Sequence, residues 1–145
     1  MHLSNTSGRE MARVAVLLLS GMLLGAMARA DNGSAPVYHS SVKNLNWVAL
    51  PEFGGAQAII YRSPDNKRIV AAFRESLSQT FTFTFDEFVH VTAGSCKMKI
   101  HGGPTLTLVK GDVAYVPEGT TADLDFSPDF EDIGVLTSDH AIDWK

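Results

Sequence analysis

Cysteine is nearly absent from this chain. Cys96 stands alone among 145 residues, so no internal disulfide framework can form and packing must hold the fold. It sits between Ser95 and Lys97, just past Gly94, with neither His nor Asn close by. That setting reads as a buried structural thiol rather than a nucleophile, with pairing to a second chain in an oxidising compartment as the alternative. Histidine is also scarce, five in all, and positive charge is outnumbered, with 12 Lys and Arg against 16 Asp and Glu and a net charge of −4. No basic cluster is present that could neutralise phosphates, which argues against nucleic acid as a partner. Beyond the first thirty residues no segment carries a sustained helical period.

What is there begins with a leader. Arg9 and Arg13 precede an uncharged, mostly apolar run over Val14–Ala28, and Ala28-Arg29-Ala30 has the small-x-small pattern a signal peptidase reads. The run is shorter than the ~20 residues that span a bilayer. Residues 1–30 are therefore expected to be a secretory signal cut after Ala30, giving a periplasmic or secreted protein with no membrane attachment after cleavage. An uncleaved N-terminal anchor is the alternative. Three positive charges and one negative charge leave with the leader, taking the net charge from −4 to −6.

The remaining length is that of one domain, which buries roughly two-thirds of its unfolded surface. Residues 31–46 read as a polar linker or arm, with Asp31–Pro36 lacking any periodicity, and 47–145 as the folded domain. Short strands broken by turn residues follow: Ala56–Arg62, Ile69–Glu75, Thr80–Phe85, Glu87–Thr92, Cys96–Ile100, Thr105–Val109, Asp112–Val116, Thr121–Phe126 and Ile133–Thr137. Ser63-Pro64-Asp65-Asn66 and His101-Gly102-Gly103-Pro104 have strong turn chemistry. Thr80–Phe85 alternates strictly, with Phe81, Phe83 and Phe85 on one face and threonines on the other. The fold class is all-β, a closed barrel or sandwich. Asp123, Asp125, Asp129, Glu131 and Asp132 make the late chain acidic and are expected to form a solvated face, since no calcium-loop spacing is present.

Two segments carry more. Glu87 is followed after six residues by Gly94, and Gly111 is followed after five by Pro117-Glu118-Gly119, with Gly111 seventeen residues beyond Gly94. Both spacings resemble the signature segments of the cupin family. Asp-Glu-Phe-Val-His-Val (Asp86–Val91) and Gly111-Asp112 resemble the small single-domain branch that includes ureidoglycine aminohydrolase and the ethanolamine-utilisation cupins. The resemblance runs from about Ile69 to Thr137 and implies a single barrel of the double-stranded β-helix, jelly-roll-like kind.

It also implies a metal site, and here the sequence departs from the family. Metal-binding cupins place two His before the Glu and one after the Pro-x-Gly turn. Those positions fall on Phe81 and Phe83 (or Thr80 and Thr82) and on Ala122, so only Glu87 remains. Phenyl and methyl groups donate no lone pair, and one carboxylate holds a transition metal weakly. No metal or other cofactor is therefore expected. His90 is three residues past Glu87 and so faces the opposite side of its strand. His101 lies in a hairpin turn from which it could fold over a barrel mouth, as a non-standard ligand. His39 and His140 lie near the two ends.

The expected pocket is lined by Phe81, Phe83, Glu87, Val89, Tyr115, Ala122 and Arg74. Glu87 is the candidate acid/base, its pKa raised by desolvation unless Arg74, Tyr115 or Tyr61 meets it, or else a structural Glu at the rim. The phenylalanines, with Phe73 and Phe88, either line a pocket or fill the core. The branch often has a Trp shortly after the Pro-x-Gly turn, where Leu124 stands here.

Three functions follow. The barrel binds a small organic ligand without metal; or it is an enzyme of the aminohydrolase, lyase or isomerase kind; or it is a filled, structural barrel. A homodimer through the face bearing Phe88 and His90 is the expected assembly.

Overall fold

Strands that alternate apolar and polar residues bury only one face, and that face needs a second sheet to cover it. The chain meets this need with two antiparallel sheets around one core. The structure is a computed structural model and describes residues 37–145; the leader and its expected cleavage after Ala30 lie outside the described residues.

The strands are β1 (Val48–Leu50), β2 (Gly55–Arg62), β3 (Arg68–Glu75), β4 (Gln79–Thr82), β5 (Asp86–Ala93), β6 (Ser95–Ile100), β7 (Thr105–Val109), β8 (Val113–Val116), β9 (Thr121–Phe126) and β10 (Phe130–Thr137). One sheet runs β1-β2-β3-β10-β5-β8 and the other β4-β9-β6-β7. Short 3-10 turns cover Val42–Asn44 and Pro51–Phe53. Among the described residues no helix is long and apolar enough to cross a membrane.

Local chemistry sets the strand ends. In the β2–β3 turn, Asp65 Oδ1 accepts from Ser63 Oγ at 2.6 Å and from the Lys67 amide at 3.2 Å, while Asn66 takes a positive φ of 55°. This is the short polar side chain closing on nearby backbone that favours such turns. Gly94 turns β5 into β6, crossing between sheets at φ 63°. A Cβ there would meet the Phe130 backbone at 2.7 Å, so glycine is required twice over.

The two signature segments are hydrogen-bonded neighbours. β5 pairs with β8, Glu87 opposite Val116 and Val89 opposite Ala114. The Gly111 amide donates to Val91 O at 2.8 Å, and the Glu118 amide donates to Asp86 Oδ1 at 2.8 Å. Asp112 Oδ2 accepts from the Val109 amide at 2.9 Å and closes the β7–β8 turn.

Two boundaries differ from the sequence reading by more than one residue. The run expected over Thr80–Phe85 ends as a strand at Thr82, because Phe83 turns away to bond Thr120 O and Gly119 N. Its alternation persists all the same: Phe83 and Phe85 are buried while Thr80, Thr82 and Thr84 are exposed. The last strand starts at Phe130 rather than Ile133, and slips register against β5 between Glu131 and Asp132. That shift matters for Asp132. It is not part of a solvated acidic face but is 4% exposed.

Candidate functional site

Period-two geometry sends Ile69, Ala71, Phe73 and Glu75 of β3 inward, with Glu87, Val89 and Val91 of β5 and Phe130, Asp132, Gly134 and Leu136 of β10. Since β10 lies between β3 and β5, three carboxyl groups converge from adjacent strands. Asp132 stands opposite Phe73 and Val91, one inward position from the Phe130–Glu75 pair. Gly134 separates it from Leu136, which pairs with Glu87. Glu75, Asp132 and Glu87 thus run diagonally across the inner face of the large sheet.

They line a cavity of about 50 Å³ in the barrel, which is otherwise apolar. Its walls include Phe73, Phe81, Phe83, Phe85 and Val89 from the strands and bends, with Cys96, Met98 and Leu124 from the small sheet. The phenylalanine rings meet edge to face, Phe81 against Phe83 with centroids 5.0 Å apart. Trp144 covers the cavity from the C-terminal segment, its ring 5.7 Å from Phe85 and 5.8 Å from both Phe53 and Phe73. That segment is tied down firmly. Trp144 Nε1 donates to Gln57 Oε1 at 2.6 Å, Arg62 Nη2 donates to Trp144 O at 2.9 Å, and the Ile142 amide donates to Asn66 O at 2.9 Å. An outer groove of about 170 Å³ beside Gly54 and Gly55 shares Glu75 and Phe130 with the cavity. Those two side chains form the partition between them.

The electrostatics are unusual. Among the described residues no Lys, Arg or His lines the cavity. Asp132 Oδ1 is buried with no hydrogen-bond partner. Glu75 and Glu87 are partly buried among mostly apolar side chains. Loss of hydration therefore pushes Glu87 up to about 8. Glu75 is raised to about 8, first by burial and then by the nearby Glu87 charge. Asp132 is held well above its ordinary value by burial, and then by Glu87, Glu75 and Glu131. Burial and nearby Glu75 push the Cys96 thiol up to about 12, which makes it an inert wall rather than a nucleophile.

Of the residues expected in the pocket, Phe81, Phe83, Glu87 and Val89 line it. Arg74 and Tyr115 do not. Arg74 alternates with the inward Phe73 and Glu75 and lies on the outside, bonded to Glu131 Oε2 at 2.8 Å and 3.9 Å above the Trp47 ring. Tyr115 is 62% exposed, on the outer face opposite Phe88. Ala122 is fully buried beside Phe81 in the core, outside the lining. Tyr61 stacks on Tyr38 with centroids 4.7 Å apart, away from Glu87. His90 faces outward as its position three residues from Glu87 requires. His101 does not fold over the barrel; its Nε2 lies 2.9 Å from Asp123 Oδ1 at the surface. Sequence reasoning missed Glu75, Asp132 and Trp144.

The donor set does not fit the metal that the resemblance implies. The positions that the resemblance gives to its imidazoles fall on Phe81 and Phe83, or on the exposed Thr80 and Thr82, and on Ala122, and the ionisable groups lining the cavity are Glu75, Glu87, Asp132 and Cys96. Among the described residues, three candidate ligand atoms lie within 4.8 Å of one another only at Glu118, Asp139 and His140, all exposed at the surface. Glu75, Asp132 and Glu87 are spread more widely than that.

Comparison with known proteins places this geometry. Residues 78–131 match the EutQ-like cupin domain family. No curated protein matches. A putative ethanolamine utilization protein Q of Salmonella typhimurium superposes with a TM-score of 0.57 at 16% identity, over 67% of this chain and 82% of that one. An RmlC-like cupin of Shewanella frigidimarina gives 0.56 at 12% identity, over 70% and 91%. An acetylacetone dioxygenase of Acinetobacter johnsonii gives 0.57 at 18% identity, over 72% and 75%. At such identities the likeness is one of fold.

Proposed function

We propose that this chain, whose residues 78–131 match the EutQ-like cupin domain family, is a cupin that binds a small organic molecule inside the barrel without the usual metal. The observation that carries this reading is the cavity itself: aromatic walls, a Trp144 cover, and buried Asp132 with an oxygen that no described residue satisfies. A lone unsatisfied carboxyl oxygen is costly, and such groups are kept where a ligand or water completes them. Apolar concavities with a few convergent polar groups are the usual form of a small-molecule site.

Trp144 offers the test. The chain has two tryptophans, Trp47 and Trp144, and a Trp47→Phe variant leaves Trp144 as the sole indole reporter on the cavity. Titration with a library of small fragments is expected to shift or quench its emission saturably. Emission unmoved by every fragment would overturn the reading.

A second reading rests on Glu87. A carboxyl group near 8 beside an apolar cavity is poised for proton transfer at neutral pH, which supports an acid/base enzyme of the aminohydrolase, lyase or isomerase kind. Elemental mass spectrometry separates the two: a near-stoichiometric metal, lost in Glu87→Ala, would favour the enzyme, while well under one metal per chain favours metal-free binding.

Export and self-association belong to the same proposal. The leader supports secretion, checked by whether the mature protein begins at Asp31. Phe88 is 44% exposed, Val113 60% and Tyr115 62%, side by side on the outside of β5 and β8. That apolar strip supports a homodimer, checked by sedimentation of the protein against a Tyr115→Lys variant.

A further inference from the structure

Three inward carboxyl groups with no cation among them pose a question that the strand pattern does not answer. Buried charges in proteins are paired, and acidic clusters without a partner are normally left at the surface. Here Glu75, Asp132 and Glu87 sit on three adjacent strands, facing the same cavity. The nearest arginine on those strands, Arg74, is turned away and engaged by Glu131. One oxygen, Asp132 Oδ1, is left with no donor. Phenylalanines and Trp144 line the same cavity, and the face of an aromatic ring attracts positive charge through the ring quadrupole.

We propose that the cavity takes a compact organic cation, an ammonium or guanidinium group of roughly three to five heavy atoms at about 10–15 Å³ for each water-sized sphere, held by Glu75, Asp132 and Glu87. The inference rests on the small-molecule reading above and names the ligand's charge. Size follows from the cavity, about 50 Å³. The choice of an organic cation over a metal ion follows from spacing, because these carboxyl groups do not bring three ligand atoms within 4.8 Å. A multi-atom cation with several N–H donors can span oxygens that a metal ion cannot. Trp144 and the phenylalanines make the surroundings apolar, so each charge-assisted hydrogen bond formed there is stronger than in water.

Binding has a proton consequence. The titratable groups facing one another across the cavity are Glu75, Glu87, Asp132 and Cys96, with Glu131 beside Asp132 along β10. Carboxyl groups raised to about 8 hold their protons at neutral pH, and an arriving cation displaces them. The bond to hydrogen breaks at the carboxyl oxygen, the proton leaves to buffer, and the carboxylate pairs with the cation.

The test titrates the purified protein with n-propylammonium, 1-propanol and propionate, by calorimetry in phosphate and in Tris, and separately equilibrates it with xenon for NMR. The expected result is saturable binding of n-propylammonium alone, with proton release seen as a buffer-dependent heat. Affinity should rise about tenfold per pH unit below 8 for each proton released. Glu75→Gln and Asp132→Asn keep the shape, remove the charge and should each weaken binding by about tenfold or more. The proton release needs no variant. If 1-propanol or propionate binds as well as the amine, or both variants leave the amine unaffected, the cation inference is overturned and the ligand cavity stands. If none of the three binds while xenon enters, the same conclusion holds. If xenon is excluded too, the hollow barrel falls with it.

Discussion

Oε1 of Glu87 lies 2.7 Å from where a Cβ on residue 134 would stand, so Gly134 is the space the Glu87 carboxyl group occupies. The ring of Phe73 crowds the same point at 2.9 Å. Glycine in the middle of a central strand is otherwise costly, since it packs nothing and loses the most backbone freedom. Its place in β10 is explained by what it admits: a carboxyl group leaning over the sheet toward Asp132.

Gly134→Ala should therefore displace Glu87 and Phe73 together. Overpacking of this kind costs roughly 1–3 kcal/mol, measurable in urea melts. Combining it with Glu87→Ala should recover part of the loss, because one of the two clashing groups is then gone. A double variant whose losses simply add would mean that Glu87 does not occupy that space.

The pH profile follows from the raised carboxyls. An unfolded Glu titrates near ~4.3, whereas folded Glu75 and Glu87 titrate at about 8. Between those values the unfolded chain has released its protons and the folded chain has kept them. Stability from these groups is thus full below about 4.3, falls as pH rises toward 8, and levels off above. Asp132 acts in the same direction. The Tm is expected to drop steadily from pH 5 to pH 8, each kcal/mol lost lowering it by about 4–8 °C in a domain this size. Glu75→Gln, Glu87→Gln and Asp132→Asn should each flatten the slope and raise the Tm at pH 8. A Tm that climbs between pH 5 and 8, with no flattening in the variants, would count against the burial of these groups.

Trp144 closes the cavity, so its loss should be felt in both stability and access. Trp144→Ala should cost roughly 3 kcal/mol, as for other large aromatic truncations, and should speed exchange of any bound probe. Gln57→Ala removes the partner of the indole N–H and should give a smaller loss in the same direction. Unchanged stability in Trp144→Ala would show that the C-terminal segment is not the cover.

Much of the fold was legible in the residues. Turn chemistry at Ser63–Asn66 and the glycines at 94, 111 and 119 delimited the strands, and the Glu87-to-Gly94 and Gly111-to-Gly119 spacings identified two segments that pair as β5 and β8. The missed part of the site has a physical cause. Asp132 sits in an acidic stretch, and composition there suggested solvent. The phase Phe130, Asp132, Gly134, Leu136 was hidden because the strand was begun at Ile133. Glu75 closes the phase Ile69, Ala71, Phe73 and was readable, but it ends its strand, where a polar residue is ordinarily a cap on the pattern. Arg74 and Tyr115 have the chemistry to meet a carboxyl group, but strand phase puts both on the outer face. Trp144 depends on a long-range docking that period-two patterns do not encode.

The most direct measurement is a ¹³C-carboxyl NMR titration of Glu75, Glu87 and Asp132 in the purified protein. A dry cavity lined by three unpaired carboxyl groups requires midpoints near 8 for the two glutamates, a still-protonated Asp132 well above the normal aspartate range, and downward shifts on adding n-propylammonium. Midpoints near the unfolded ~4 for all three would mean a hydrated interior, and would contradict the carboxyl-lined cavity on which the proposed function depends.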